Sequence, residues 1–276
     1  MNKSKNFFKS KFENLKNYKM TRKVFSYPYI LFLLLFVVIP MVLILVFAFL
    51  DSNNQLTFGN FVSLFSDGAS IKVLLTSILV GIVTTLVCLI LGYPVAYILT
   101  KYSFGKVFVL LFVLPMWVNF LIRTLATKAI FVALDVNLGM GTVLFGMIYN
   151  YIPFMILPLY TILSNIDKSY TEASQDLGAD KFTTFVKTTL PLSIPGIISG
   201  ITMVFIPTIS TFAISQLLSD YTIFLFGDSI QTKFSNNLYG VGSVMSLIMI
   251  VLVLISNVFI RKANKSTNMV GGRNLW

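Results

Sequence analysis

Six long stretches of the chain carry no Asp, Glu, Lys or Arg: residues 26–50, 73–100, 107–122, 136–166, 188–219 and 234–260. A membrane-crossing helix needs about 20 predominantly apolar residues at about 1.5 Å rise each. The apolar positions run continuously and do not alternate, which argues against the strands of a lipid-facing barrel. The third stretch is short for a span but extends past Arg123 through "TLAT". The fourth and fifth exceed one span and include loop. The pattern predicts an all-α polytopic membrane protein with six transmembrane helices. Basic residues precede the first stretch, as in a secretory signal, but it is too long for a signal core. No small-residue cleavage site follows it, so it reads as an uncleaved helix.

Between the fourth and fifth stretches lies "TEASQDLGADKFTTFVKTTLP", residues 171–191, a polar and charged segment with helical patterning. Asp167 can cap a short helix that places Tyr170, Ala173, Ser174 and Leu177 on one face. Gly178 permits a left-handed turn that ends it. Asp180 can cap a second helix with Phe182, Phe185, Val186 and Leu190 on an apolar stripe, and Pro191 stops the pattern. A helix–Gly–helix unit with an apolar stripe is more order than a connecting loop needs, and it suits a docking surface for a partner.

Charge sets the orientation. Of 21 Lys and Arg, 17 fall in residues 1–23, around 101–106, around 168–187 and in the tail beyond 260. Only Lys72, Arg123, Lys128 and Lys233 lie on the other side. Basic loops stay inside, so both termini and the 167–191 loop are expected in the cytoplasm. The domains expected are a basic, partly amphipathic segment 1–25, a six-helix body 26–260 and a basic tail 261–276. In the first, Phe8, Phe12 and Leu15 stand at helical spacing among lysines, as in a helix lying on the inner leaflet. The net charge of +11 thus reflects membrane topology and not nucleic acid binding.

Chemistry is sparse. With no His, imidazole acid–base catalysis is excluded and a transition-metal site is disfavoured. Cys88 is the single cysteine, which excludes an intrachain disulfide and reads as a small apolar residue. No carboxylate lies within the spans, which argues against a proton- or sodium-coupled carrier. No catalytic residue or metal ligand is assigned. Prolines 28, 40, 94, 115, 153, 158, 195 and 207 predict kinks. Arg123 is expected near the outer interface, about 24 Å along a straight helix from Val107. There it would snorkel, or contact a partner protein.

The residues Glu172, Ala173, Gly178, Leu190 and Pro191 match in spacing the signature E-A-A-x(3)-G-x(9)-I-x-L-P of ABC importer permeases, with Ser174 and Thr188 as departures. The chain resembles that family. The stretches "LTFGNFVSLFSD", "LGYPVAYILTKY", "LPMWVNFLIRTLA" and "YIPFMILPLYTILSNID" resemble its polyamine branch, the B-type permeases of spermidine/putrescine importers. The resemblance implies the type I importer permease fold. It implies a cytoplasmic ABC ATPase dimer that binds ATP and Mg, a second homologous permease completing a heterodimer, and an extracytoplasmic polyamine-binding protein. This chain would bind no cofactor itself and would sit in a bacterial inner membrane. Glu172, Ala173, Ser174, Gly178, Leu190 and Pro191 would form the ATPase-coupling loop. The alternatives are the same architecture importing an amino acid, thiamine or ferric ion, and an ion-coupled secondary carrier.

A polyamine path without carboxylates would use oxygen acceptors and aromatic faces. Trp117, Asn119, Tyr149, Asn150, Tyr151 and Tyr160 are the candidates. On the outer face Asp135, Asp220 and Asp228, with Asp51 and Asp67, outnumber the lysines and would concentrate cations at the entrance.

Overall fold

A computed structural model describes residues 26–51 and 55–271, with side chains through residue 258. The expected amphipathic segment around Phe8, Phe12 and Leu15 lies outside the described residues. The chain divides into two units, Met1–Phe47 and Ala48–Trp276.

The described residues of the first unit form α1 (Ser26–Ala48), with a mean hydropathy of 3.4. A helix apolar on every side belongs in lipid or in a large core. Its ring pair Phe32–Phe36 sits at helical i,i+4 spacing, with centroids 5.0 Å apart. Pro40 lies inside α1 without breaking it. The turn before it, Leu34–Val38, widens to π geometry, with Ile39 N–H donating to the Leu34 carbonyl. A wide turn relieves the clash between a proline ring and the carbonyl four residues earlier.

The second unit is built from α2 (Gly59–Ser66), α3 (Gly68–Leu99), α4 (Gly105–Trp117), α5 (Phe120–Ala133), α6 (Met140–Ser164) and α7 (Lys168–Asp176). After these come α8 (Lys181–Leu192), α9 (Ile194–Ser210), α10 (Ile214–Leu218), α11 (Phe226–Ser235) and α12 (Tyr239–Gly271). Among the described residues, four helices (α1, α3, α6 and the start of α12) are each long and apolar enough to cross a membrane. Two bent pairs, α4–α5 and α8–α9, bring the number to six if each pair counts as one span.

Helices α3, α6 and α9 pack mutually and form the centre, with α12 against α9. At one end of this trio Cys88, Tyr93, Ala96, Met155, Ile156, Leu159 and Val204 are buried together. At the other end the buried cluster is Val80, Val143, Met147, Ile214, Leu218 and Leu225. Gly92 and Gly200 both abut Met155. Small residues at such contacts let helices approach closely where lipid supplies no hydrophobic drive.

The expected third span is not straight. Its first arm ends in a 3₁₀ turn at Leu114–Trp117 that includes Pro115, and Val118 is extended. Asn119 then caps α5 by accepting from the Leu121 N–H at 2.8 Å. The two arms meet at 92°. Pro191 also departs from expectation, because it does not stop its helix. A π turn, Phe185–Thr189, precedes it as in α1, so α8 runs on to Leu192 and bends by 60° into α9.

Beyond α9 the backbone is irregular, and Ala213 has φ +71°. Asp228 on α11 holds this corner. Its carboxylate accepts from the Ala213 N–H at 2.8 Å, the Leu225 N–H at 2.8 Å and the Ser215 hydroxyl. The Phe226 N–H donates to Ser77 Oγ on α3 at 2.7 Å, and Thr142 on α6 donates to the Leu218 carbonyl at 2.6 Å. Gly227 lets α11 touch the end of α9, since a Cβ there would collide with the Thr211 carbonyl oxygen and lie 2.8 Å from that of Ser210. Both obstacles are backbone. Gly227→Ala is therefore expected to lower stability by about 1–3 kcal/mol, read as a lower thermal midpoint in detergent. An unchanged midpoint would show that the corner yields freely.

Candidate functional site

The polar hairpin joins α6 to α9 at one end of the bundle. Asp167 caps α7 by accepting from the Ser169 N–H at 2.9 Å, and Asp180 caps α8 by accepting from the Thr183 N–H at 3.1 Å. These hydrogen bonds hold both carboxyls below the ordinary aspartate value, as expected when donors favour the charged form. Gly178 has φ +88°. Its N–H donates to the Gln175 carbonyl at 2.8 Å, and the Ala179 N–H donates to that of Ser174 at 3.1 Å. This is the Schellman arrangement, which needs a left-handed residue where glycine alone has no steric cost.

The hairpin has two faces. Outward, Leu177 is 90% exposed, Phe182 73% and Tyr170 55%. Glu172, Ala173 and Pro191 are also exposed. Inward, Phe185 sets its ring edge-on to Tyr97 at 5.3 Å and to Tyr93 at 5.9 Å, both on α3. Leu190 packs against the buried cluster at this end. The Tyr93 hydroxyl lies 2.8 Å from that of Ser193, which sits at the bend between α8 and α9. Ser174, a departure from the signature, lies 3.3 Å from buried Thr184, so the two hydroxyls link α7 to α8. Beside the hairpin is a cavity of about 210 Å³ lined by Tyr97, Lys101, Tyr160, Asp167, Lys168 and Thr189, among others.

The signature residues therefore share one hairpin, with Glu172 and Ala173 on α7, Gly178 at the turn and Leu190 and Pro191 on α8. The six path candidates are not brought together. Trp117 is 84% exposed at the end of α4, and Asn119 serves as a cap. Tyr149, Asn150 and Tyr151 are consecutive on α6, so they point about 100° apart and cannot share one wall. Tyr149 is exposed. Asn150 is buried, donates to the Gly146 carbonyl at 2.8 Å, and leaves its Oδ1 without a partner among the described residues. Tyr151 is half-buried, with its hydroxyl 3.5 Å from the Pro207 carbonyl. Tyr160 belongs to the cavity at the hairpin end.

The acidic face is also altered. Asp135 is exposed, but Asp220 pairs with Lys128 at 3.0 Å. Asp228 is buried inside the corner it caps, and burial pushes its carboxyl up against the opposing pull of its three donors. It adds no charge to the surface, a correction to the sequence expectation. The reason is its hydrogen bond to Ala213, 15 residues earlier, which no local pattern signals.

Arg123 departs too. It lies near the start of α5, and its Nε and Nη1 are buried without a hydrogen-bond partner among the described residues. A freely snorkelling side chain would keep them in water.

Residues 16–268 match the family of binding-protein-dependent transport system inner membrane components. The chain belongs to this family and is a membrane permease component. The spermidine/putrescine transport system permease protein PotB of Haemophilus influenzae is 33% identical to it over 263 residues, covering 86% of this chain and 91% of that protein. A PotB homolog of Mycoplasma genitalium is 32% identical over 70% of this chain and 73% of its own. In structure, a chain of a bacterial ABC transporter involved in import of the acidic polysaccharide alginate aligns with a TM-score of 0.63. That alignment covers 94% of this chain and 98% of the other at 16% identity. The MetNI methionine ABC transporter aligns at 0.56, also at 16% identity, over 71% and 95%. At that identity the two structures speak to the fold alone, that of ABC importer permeases.

Phe185 is the ring that ties hairpin to bundle. Phe185→Ala is expected to cost about 2 kcal/mol, less than a fully buried phenylalanine. It should also raise amide exchange across α8. Unchanged exchange would mean that the tyrosine contacts do not hold the hairpin.

Proposed function

We propose that this chain is one of two permease subunits of an ATP-driven polyamine importer, and that its hairpin passes the motion of a cytoplasmic ATPase to the spans. The observation that carries the reading is the two-faced hairpin, exposed and apolar outward and clamped to α3 inward. It coincides with the permease signature. The extent of similarity to PotB supports spermidine or putrescine as cargo. The excess of Lys and Arg on the hairpin side supports cytoplasmic termini in a bacterial inner membrane.

In this reading the ATPase dimer binds and hydrolyses ATP with Mg, and its closure presses on Tyr170, Leu177 and Phe182. Phe185 and Ser193 transmit the displacement to α3 and α9. A second permease supplies the other half of the path, and an external binding protein delivers cargo. Glu172 supplies a polar contact at the ATPase joint. With Asp228 buried and Asp220 paired, capture rests on the delivering protein more than on surface charge.

Cells lacking this chain should lose labelled spermidine uptake and regain it on re-expression. Gly178→Asp forces a Cβ into the left-handed region, costing about 1–2 kcal/mol at that residue, and places a negative charge at a helix C-terminus. It should abolish uptake while membrane insertion stays intact. Normal uptake by this variant would sink the coupling assignment. Unaltered spermidine uptake in the deleted strain would sink the cargo assignment.

A further inference from the structure

Among the described residues no carboxylate pairs with Arg123. Its Nε and Nη1 are sealed and unpaired, while the residue as a whole is only partly covered. The guanidinium thus sits at the edge of the fold, half inside and half reaching the surface. The apolar stretches that hold the spans contain no Asp or Glu, and the buried carboxylate of Asp228 is engaged by its own three donors.

That depth follows from the neighbours. Phe131 on α5 stacks edge-on with Phe145 on α6 at 5.3 Å. Phe120, at the start of α5, packs edge-on against Phe212 at 6.1 Å, beside the end of α9 that the hydroxyl of Tyr151, six residues beyond Phe145 on α6, approaches at the Pro207 carbonyl. The two helices therefore run antiparallel, and Arg123 stands level with Tyr151. By helical rise Tyr151 is about 16 Å from Met140 and about 20 Å from Ser164. That is the middle of a hydrocarbon core about 30 Å thick. The straight-helix expectation placed Arg123 at the outer interface, and the 92° break of the third span removes its premise.

At mid-depth a lipid phosphate is out of reach, and an unpaired charge is costly. A cationic cargo would be repelled. We infer that Arg123 pairs with a membrane-embedded carboxylate of the second permease and is an anchor of the heterodimer interface. The inference rests on the two-permease reading above. A guanidinium suits the role because it stays charged and presents a planar fork matched to a carboxylate.

The test uses the whole importer, co-expressed and purified through a tag on the second permease. Arg123→Met is expected to lower the recovery of this chain by about tenfold or more, as when one partner of a buried pair is removed. Arg123→Lys should retain an intermediate fraction. Arg123→Glu should be rescued when one span-embedded Asp or Glu of the second permease is replaced by Lys. The chain expressed alone is the folding control, and its membrane level should be the same for all variants.

Unchanged recovery of Arg123→Met would overturn the inference. So would an equal fall in the level of the chain alone, which would mark a role within this chain. Intact assembly with a shifted KM for spermidine would place Arg123 on the path and overturn it too. Failure of the wild-type importer to take up spermidine would strike only the cargo assignment, because assembly is read separately.

Discussion

The contact on which the rest depends is the seating of Phe185 between Tyr93 and Tyr97. A polar hairpin pushed from outside can move an apolar bundle only if the joint between them is stiff. Aromatic edge-to-face pairs provide such a joint, with defined geometry and about 0.5–1.5 kcal/mol each beyond burial. The Tyr93–Ser193 hydrogen bond fastens the same tyrosine to the bend where α8 becomes α9. One small region thus binds the hairpin to two of the three central helices.

The opposite end of the bundle is organised differently. A buried carboxylate, Asp228, collects two backbone N–H groups and one hydroxyl around a strained backbone corner. Such a group is stable only while every donor is in place. The corner is tied to α3 through Ser77 and to α6 through Thr142. Prolines inside helices are absorbed. Pro94, Pro153, Pro158 and Pro207 lie inside continuous helices, and wide turns accommodate Pro40 and Pro191.

The hairpin was legible in the sequence because its determinants are local. The capping side chains of Asp167 and Asp180, the left-handed Gly178 and the apolar spacing of Phe182 and Phe185 all act within a few residues. The apolar runs announced the spans for the same reason. The break before Phe120 was not legible. Hydropathy is blind to direction, and an asparagine in an apolar run is as readily a pore residue as a helix cap. Once the helix turned, every distance extrapolated along it failed, including the depth of Arg123. The path candidates were chosen by residue type, and helical phase turns three of them, Tyr149, Asn150 and Tyr151, to different sides of α6. Asp228 was misplaced because its partners come from elsewhere in the chain.

The claim that the exposed hairpin meets a cytoplasmic ATPase is tested most directly by a cysteine at Leu177. Cys88 is buried, so it should remain silent. In membranes holding the whole importer, Leu177→Cys should be cross-linked to the ATPase subunit by a short bifunctional maleimide, with a yield that changes when nucleotide is added. It should be unreactive to an impermeant maleimide applied to intact cells. Labelling from outside, or no cross-link to the ATPase in an importer that still transports, would contradict the account.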